Sequence, residues 1–281
     1  MRRGVCIISP HAHESPIFVD LQYCTLKKFM KCDFELNIFD DSSNDGHSEK
    51  IKNHCEQYQE INYFRIPKNI HNASDCISDR NGNSVNYAYR TVGLKSTYEF
   101  ILILDADVIL TSDFVIYDYM HGYEMSGLQQ SKLGKHTGKV YKYLWVGFIF
   151  IRIHEILDAE IISFSPGKVG KGGDASVDTG GQTYNYLNEH KNLRLRFCNP
   201  NDHETSSLFL EYFEKDKIIK KFEGVGSFLS SIFWNYQGGT NWDYQEREVH
   251  GLRINNLIDF VEKVTNYTID REDCLPYVIP F

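Results

Sequence analysis

Short apolar runs separated by polar turns fill the first 110 residues, and their order predicts a layered α/β fold. Residues 5–9 read as an apolar strand, which Pro10 is expected to stop. Residues 17–31 carry Phe18, Leu21, Leu26 and Phe29 as the apolar points of a helix. Residues 34–39 read as a second strand and lead into Asp40-Asp41-Ser42-Ser43-Asn44-Asp45-Gly46, a dense run of turn formers. Residues 51–58 predict a helix, 61–66 a third strand stopped by Pro67, and 84–97 a further helix. Residues 100–110, FILILDADVIL, predict a buried strand. Strand alternating with helix is the pattern of a parallel sheet with covering helices. Such sheets bind ligands at the carboxyl ends of their strands, where Ser9, Asp40, Asp41, Asp105 and Asp107 are expected to lie.

Past residue 110 the pattern is less regular. Residues 145–153 read as a strand and 168–173 as a loop rich in glycine and lysine. Asp178 is expected to open a helix running to about residue 189, with a strand over 193–197. Residues 224–239 are rich in aromatics and glycine, and 252–264 predict an amphipathic helix. No Pro/Gly/Ser-rich linker divides the chain, and no internal period appears. One domain over residues 1–281 is expected, with a ligand-binding half to residue 110.

Charge and cysteine usage narrow the classes. The 281 residues carry a formal charge of −8 with lysines and arginines scattered, which argues against a nucleic-acid partner. The apolar run from Tyr143 to Ile151 is too short to span a bilayer, so no transmembrane segment is expected. The stretch after the two N-terminal arginines is too short for a signal peptide. Seven cysteines at irregular spacing show no zinc pattern and fit reduced thiols in a cytoplasmic protein. The sequons at 72–74 and 266–268 are then chance matches.

The candidate chemistry centres on Asp105-Ala106-Asp107. Carboxylates at i and i+2 on an extended strand share a side of the backbone. Buried like charges repel and are costly to desolvate, and a divalent cation relieves both effects. Hard oxygen ligands suit Mg²⁺ or Mn²⁺, ions that keep positions open for substrate phosphates. The alternative is plain: a strand-end Asp also serves as a helix cap.

These residues resemble those of the GT-A glycosyltransferases, close to the inverting type. The likeness rests on FDDSSND at 39–45, an Asn/Gly-containing helix from Asn81-Gly82 onward leading to the motif strand, LDAD at 104–107, and His250-Gly251-Leu252-Arg253, which it implies is on a C-terminal loop. It implies a Rossmann-like, mostly parallel sheet with flanking helices, a less regular acceptor-binding half and a C-terminal metal-ligand segment. It implies transfer of a sugar from a nucleotide diphosphate sugar, UDP- or GDP-linked, to a glycan or other hydroxyl acceptor. Asp40 or Asp41, with preference for Asp41, would meet the base, and Ser9 would line the donor site. Asp105 would face the ribose and the metal's waters, and Asp107 would bind Mn²⁺ or Mg²⁺ directly. His250 would complete the metal site, with Arg253 near a phosphate. Asp178, expected at a helix N-terminus, would act as general base, with Asp174 as its alternate. The family's usual Glu-Asp pair at the base is absent.

Trp145, Trp234 and Trp242 offer stacking faces or core, and Gly147 offers close backbone approach or a simple strand glycine. The 167–173 loop, with Lys168 and Lys171, offers a flap over the diphosphate or a solvated loop. Two rival enzymes share parts of the pattern. A haloacid-dehalogenase-type phosphatase places the Asp-X-Asp motif on its first strand, and a sugar-nucleotide pyrophosphorylase needs a basic glycine-rich loop after it. An inactive transferase homologue binding carbohydrate is the non-enzyme alternative.

Overall fold

The computed structural model describes residues 1–12, 16–71, 73–74, 76–198, 227–229, 233–235 and 247–271. At 227–229, 234–235, 247–250 and 252–253 only the backbone is described. Strands β1 (Arg2–His11), β2 (Phe34–Asp40), β3 (Ile61–Arg65), β4 (Tyr98–Leu104), β6 (Met125–Leu133), β7 (Val140–Ile151) and β10 (Leu195–Cys198) form one sheet, with β5 (Val108–Leu110) outside it. Its order is β10-β6-β7-β4-β1-β2-β3. Only β7 runs against the rest, pairing antiparallel with β4 on one side and β6 on the other. The result is the α/β architecture expected from the sequence.

The two faces of the sheet follow from residue alternation. On β1 and β4, Val5, Ile7, Phe100, Leu102 and Leu104 join a core beneath helix α1 (Ile17–Phe29) and the C-terminal helix Arg247–Thr265. Ile8, Ile101 and Ile103 face the opposite core, with Val85, Ala88 and Tyr89 of helix α4 (Ile77–Thr91). A crossover from β1 to β2 and β3 on one side, then back to β4 on the other, creates a topological switch at the carboxyl ends of β1 and β4.

Several boundaries differ from the sequence reading. Strand β1 continues through Pro10 to His11. Its pairing with β4 ends at Ile8 while pairing with β2 goes on to His11, so the proline's missing N–H breaks no bond toward β4. Helix α2 (Asp45–Glu56) starts inside the expected turn, because Asn44 accepts a hydrogen bond from the His47 amide at 2.9 Å and caps it. Helix α4 begins at Ile77 and ends at Thr91, where residues 84–97 were expected. Gly82 lies in it because a Cβ there would come within 3.0 Å of Pro166 and Ser165.

The FILILDADVIL stretch is two strands. β4 stops at Leu104, Asp105 to Asp107 make a turn, and β5 pairs with Phe233–Asn235 in a separate small sheet. The expected 168–173 loop is a hairpin, β8 (Gly167–Val169) and β9 (Ala175–Val177). Helix α6 spans Thr183–Glu189, five residues later than Asp178. Residues 236–246, with Trp242, and most of 224–239 lie outside the described residues, as does the Trp234 side chain. Among the described residues no helix is long and apolar enough to cross a membrane.

Candidate functional site

The turn after β4 is fixed from both sides. The Asp105 amide donates to the Gly147 carbonyl of β7 at 3.1 Å. From helix α1, the Gln22 amide nitrogen donates to the Asp105 carbonyl at 2.9 Å and the Val108 carbonyl at 3.1 Å. Backbone hydrogen bonds to the core therefore position the two carboxylates, rather than the strand-face alternation expected from i, i+2 spacing. Asp107 is buried and Asp105 half-buried. No described side chain donates a hydrogen bond to the Asp105 carboxylate, and burial pushes its pKa up to about 7. A carboxyl held this way gains by meeting a cation, so the donor chemistry fits a divalent metal. Among the described residues, however, no third His, Cys, Asp or Glu joins them in a metal-sized cluster.

The carboxyl end of β1 flanks the same switch. Ser9 and His11 are buried, two residues apart on the strand. The Ser9 hydroxyl, the His11 Nε2 and the Gln22 Oε1 have no hydrogen-bond partner among the described residues. Burial lowers the His11 pKa to about 4, against smaller opposing effects of Gln22 and Asp40, so its imidazole is neutral near pH 7. His11 and Gln22 were not anticipated. His11 stood behind a proline taken to end the strand, and Gln22 looked like one polar position in an amphipathic helix.

At the end of β2 the two acids part company. Asp40 accepts hydrogen bonds from the Ser42 amide at 2.8 Å, the Ser48 hydroxyl, the Tyr63 hydroxyl at 2.8 Å and Arg65 at 3.0 Å. It is fully buried and its oxygens are taken, so it shapes the turn instead of reading a ligand. Asp41 is partly exposed, and its Oδ1 lies 2.8 Å from Nδ1 of His71. It is the member of the pair with a face left for a ligand.

The two base candidates also separate. Asp174 is buried and accepts from the His136 amide at 2.7 Å, the Thr137 hydroxyl and the Tyr141 hydroxyl at 3.0 Å. The Thr137 and His136 hydrogen bonds hold its pKa down to about 2, which makes it a poor proton acceptor. Asp178 is exposed, precedes the turn before α6, and accepts from the Thr179 amide at 2.8 Å through Oδ1. It caps no helix, since the residue preceding α6 is Gln182. β7 ties this turn to the acidic motif: Leu144 bonds the Thr183 hydroxyl at 3.0 Å, and Gly147 holds Asp105.

The remaining candidates are placed as follows. A Cβ on Gly147 would meet the Trp145 ring at 2.1 Å, so this glycine makes room for an indole on its own strand. Trp145 itself packs, half-buried, against the core under α1. His250 and Arg253 fall within the C-terminal helix, not on a loop, and their side chains lie outside the described residues.

No known sequence family matches the chain, and no curated protein is similar to it in sequence. In structure it is similar to the galactosyltransferase LgtC, solved with donor and acceptor sugar analogues. The TM-score is 0.50 at 8% identity, over 95% of this chain and 98% of that one. This establishes a shared fold. Fainter likenesses carry no weight of their own. They are to the apo bifunctional glycosyltransferase WbbM (TM-score 0.41, 8% identity, 69% of this chain and 38% of that one) and the mannosyltransferase Ktr4p from S. cerevisiae (0.39, 10%, 56% and 58%).

Proposed function

We propose that this chain is a glycosyltransferase that takes a sugar from a nucleotide diphosphate sugar and passes it to an acceptor hydroxyl. The observation that carries this reading is the Asp105–Asp107 turn beside the switch between β1 and β4, with a carboxyl that burial leaves in want of a cation. The shared fold with a sugar-transferring enzyme supports it. The motif follows the fourth strand in chain order, which disfavours the dehalogenase reading.

In this reading Asp105 and Asp107 would hold Mn²⁺ or Mg²⁺, which would supply Lewis-acid neutralisation of a diphosphate leaving group. Asp41 accepts from the base edge, with its free face set by His71. Ser9 and the neutral His11 lie at the β1 end and supply hydrogen-bonding groups to the donor. Asp178 takes the acceptor proton: its Oδ1 is engaged by Thr179, and Oδ2 has no partner among the described residues. A base in that role gives transfer with inversion.

The test is a thermal-shift panel of UDP-, GDP-, CMP- and dTDP-sugars, each with Mn²⁺, Mg²⁺ or EDTA, followed by a transfer assay with the best donor. A metal-dependent shift for one nucleotide class supports the reading; no shift with any donor sinks it. The anomeric configuration of the product, read by NMR, decides inversion separately.

A further inference from the structure

Far along β7 from the acidic turn, the two halves of a surface come together. Segments 131–142 and 167–177, the β6–β7 and β8–β9 hairpins, carry Lys132, Lys135, Lys139, Lys142, Lys168 and Lys171. Their one acid is Asp174, buried and consumed in joining the hairpins through His136, Thr137 and Tyr141. All six lysines are exposed, and none forms an ion pair among the described residues. This stands out in a chain of net charge −8.

The two faces of the β6–β7 hairpin differ. Cross-strand partners share a face. Lys132 with Tyr141 and Gln130 with Tyr143 lie on the side where both tyrosines join Val169, Ala175 and Val177 in a small core. Leu133 with Val140 and Ser131 with Lys142 lie on the other side. At its tip Leu133 is 67% exposed and Val140 51% exposed, directly opposite one another. An apolar pair in water at a hairpin tip, with Lys142 on its own face and with Lys132 and Lys139, the latter donating to the Tyr184 hydroxyl at 3.0 Å, on the Tyr141 face, matches a surface that is anionic at its face and apolar just beneath.

We infer that these hairpins dock the protein on an anionic phospholipid bilayer, the lysines meeting headgroup phosphates and Leu133 and Val140 entering the interface. A soluble polyanion would engage the lysines equally well but would have no use for the apolar pair, which is why the bilayer is favoured.

Co-sedimentation of the whole chain with phosphatidylcholine vesicles, with or without phosphatidylglycerol, tests this. Binding is expected only with phosphatidylglycerol and should weaken as salt rises. The triple variant Lys132→Glu/Lys135→Glu/Lys142→Glu should bind at least tenfold more weakly. Reversal of three exposed lysines elsewhere, Lys28, Lys95 and Lys191, should change binding less than threefold. Leu133→Ser/Val140→Ser should weaken vesicle binding severalfold and leave retention on dextran sulfate unchanged. Circular dichroism melts confirm that each variant is folded. No binding of the wild-type chain to anionic vesicles overturns the proposal, as does binding that all three lysine reversals leave intact. Equal vesicle binding by the Leu133/Val140 variant assigns the patch to soluble polyanions and overturns it too.

Discussion

Two acidic turns, at the carboxyl ends of β2 and β4, look equivalent in sequence and are physically opposite. Around Asp40 the protein supplies four donors from Ser42, Ser48, Tyr63 and Arg65. Around Asp105 it fixes the backbone through Gln22 and Gly147 and gives the carboxylate no described donor. An acid the fold has already satisfied is part of the scaffold; an acid that it buries and leaves wanting is where a ligand adds something. Asp174 repeats the first pattern in the second half of the chain, with its pKa held down to about 2.

The contrast is broken most forcefully at the wanting site. Asp107→Ala should lower transfer by about 10³-fold or more, the loss of several kcal/mol of charge stabilisation, with an unchanged circular dichroism spectrum. Retained transfer in that variant, or full activity in EDTA, would falsify the metal-dependent reading. Asp178→Asn comes next. Transfer should fall by ~10²–10⁴-fold, while donor affinity by calorimetry stays within about twofold. If transfer persists there, a product of retained configuration is the result to look for.

At the satisfied site the damage should be to stability instead. Asp40→Ala leaves Arg65 and two hydroxyls without their acceptor and should cost about 3 kcal/mol in urea denaturation. A loss of donor affinity with full stability would reverse the roles of Asp40 and Asp41. Asp41→Ala, by contrast, should weaken donor binding by roughly 1.5–3 kcal/mol and leave urea stability nearly unchanged.

The wanting site also carries a pH dependence that needs no ligand. Asp105 has a folded pKa of about 7 against an ordinary value of 3.8, so between these the native state holds more protons than the unfolded one. Its contribution to stability without metal is therefore full below about pH 4 and is lost as pH rises toward 7. His11, lowered from 6.5 to about 4, slopes the other way over much of that window. The Asp105→Asn variant isolates the carboxyl. Relative to wild type it should gain stability as pH climbs from about 4 to 7, and a flat difference across that range would rule out a raised Asp105 pKa.

The alternation of strands and helices up to β4, and the place of the acidic residues at the carboxyl ends of β2 and β4, were legible because they depend on local apolar runs and the turns between them. What escaped depended on partners distant in sequence. Pro10 was expected to end β1, but whether a proline breaks a strand depends on which neighbour its N–H would have met. Asn81-Gly82-Asn83 is poor helix material, yet α4 runs through it because Gly82 fits against Pro166. Asp178 looked like a cap because a helix does follow, but the turn closed by Gly180 and Gly181 intervenes. The difference between Asp40 and Asp105 was unreadable for the same reason: the residues that satisfy Asp40 include Tyr63 and Arg65 of the next strand.

The antiparallel strand β7 is also a ruler. The strand runs from Val140, at the exposed apolar tip, to Gly147, whose carbonyl holds the Asp105 amide, with a shift of register against β6 between Leu144 and Ile149. Seven residues of extended chain span roughly 23 Å. A molecule seated by its hairpin tip would therefore hold its Asp105 turn no more than about two nanometres from the surface along β7. An acceptor anchored in that surface would need a stem of up to that length, several sugar rings or an extended linker, before its hydroxyl reached the donor.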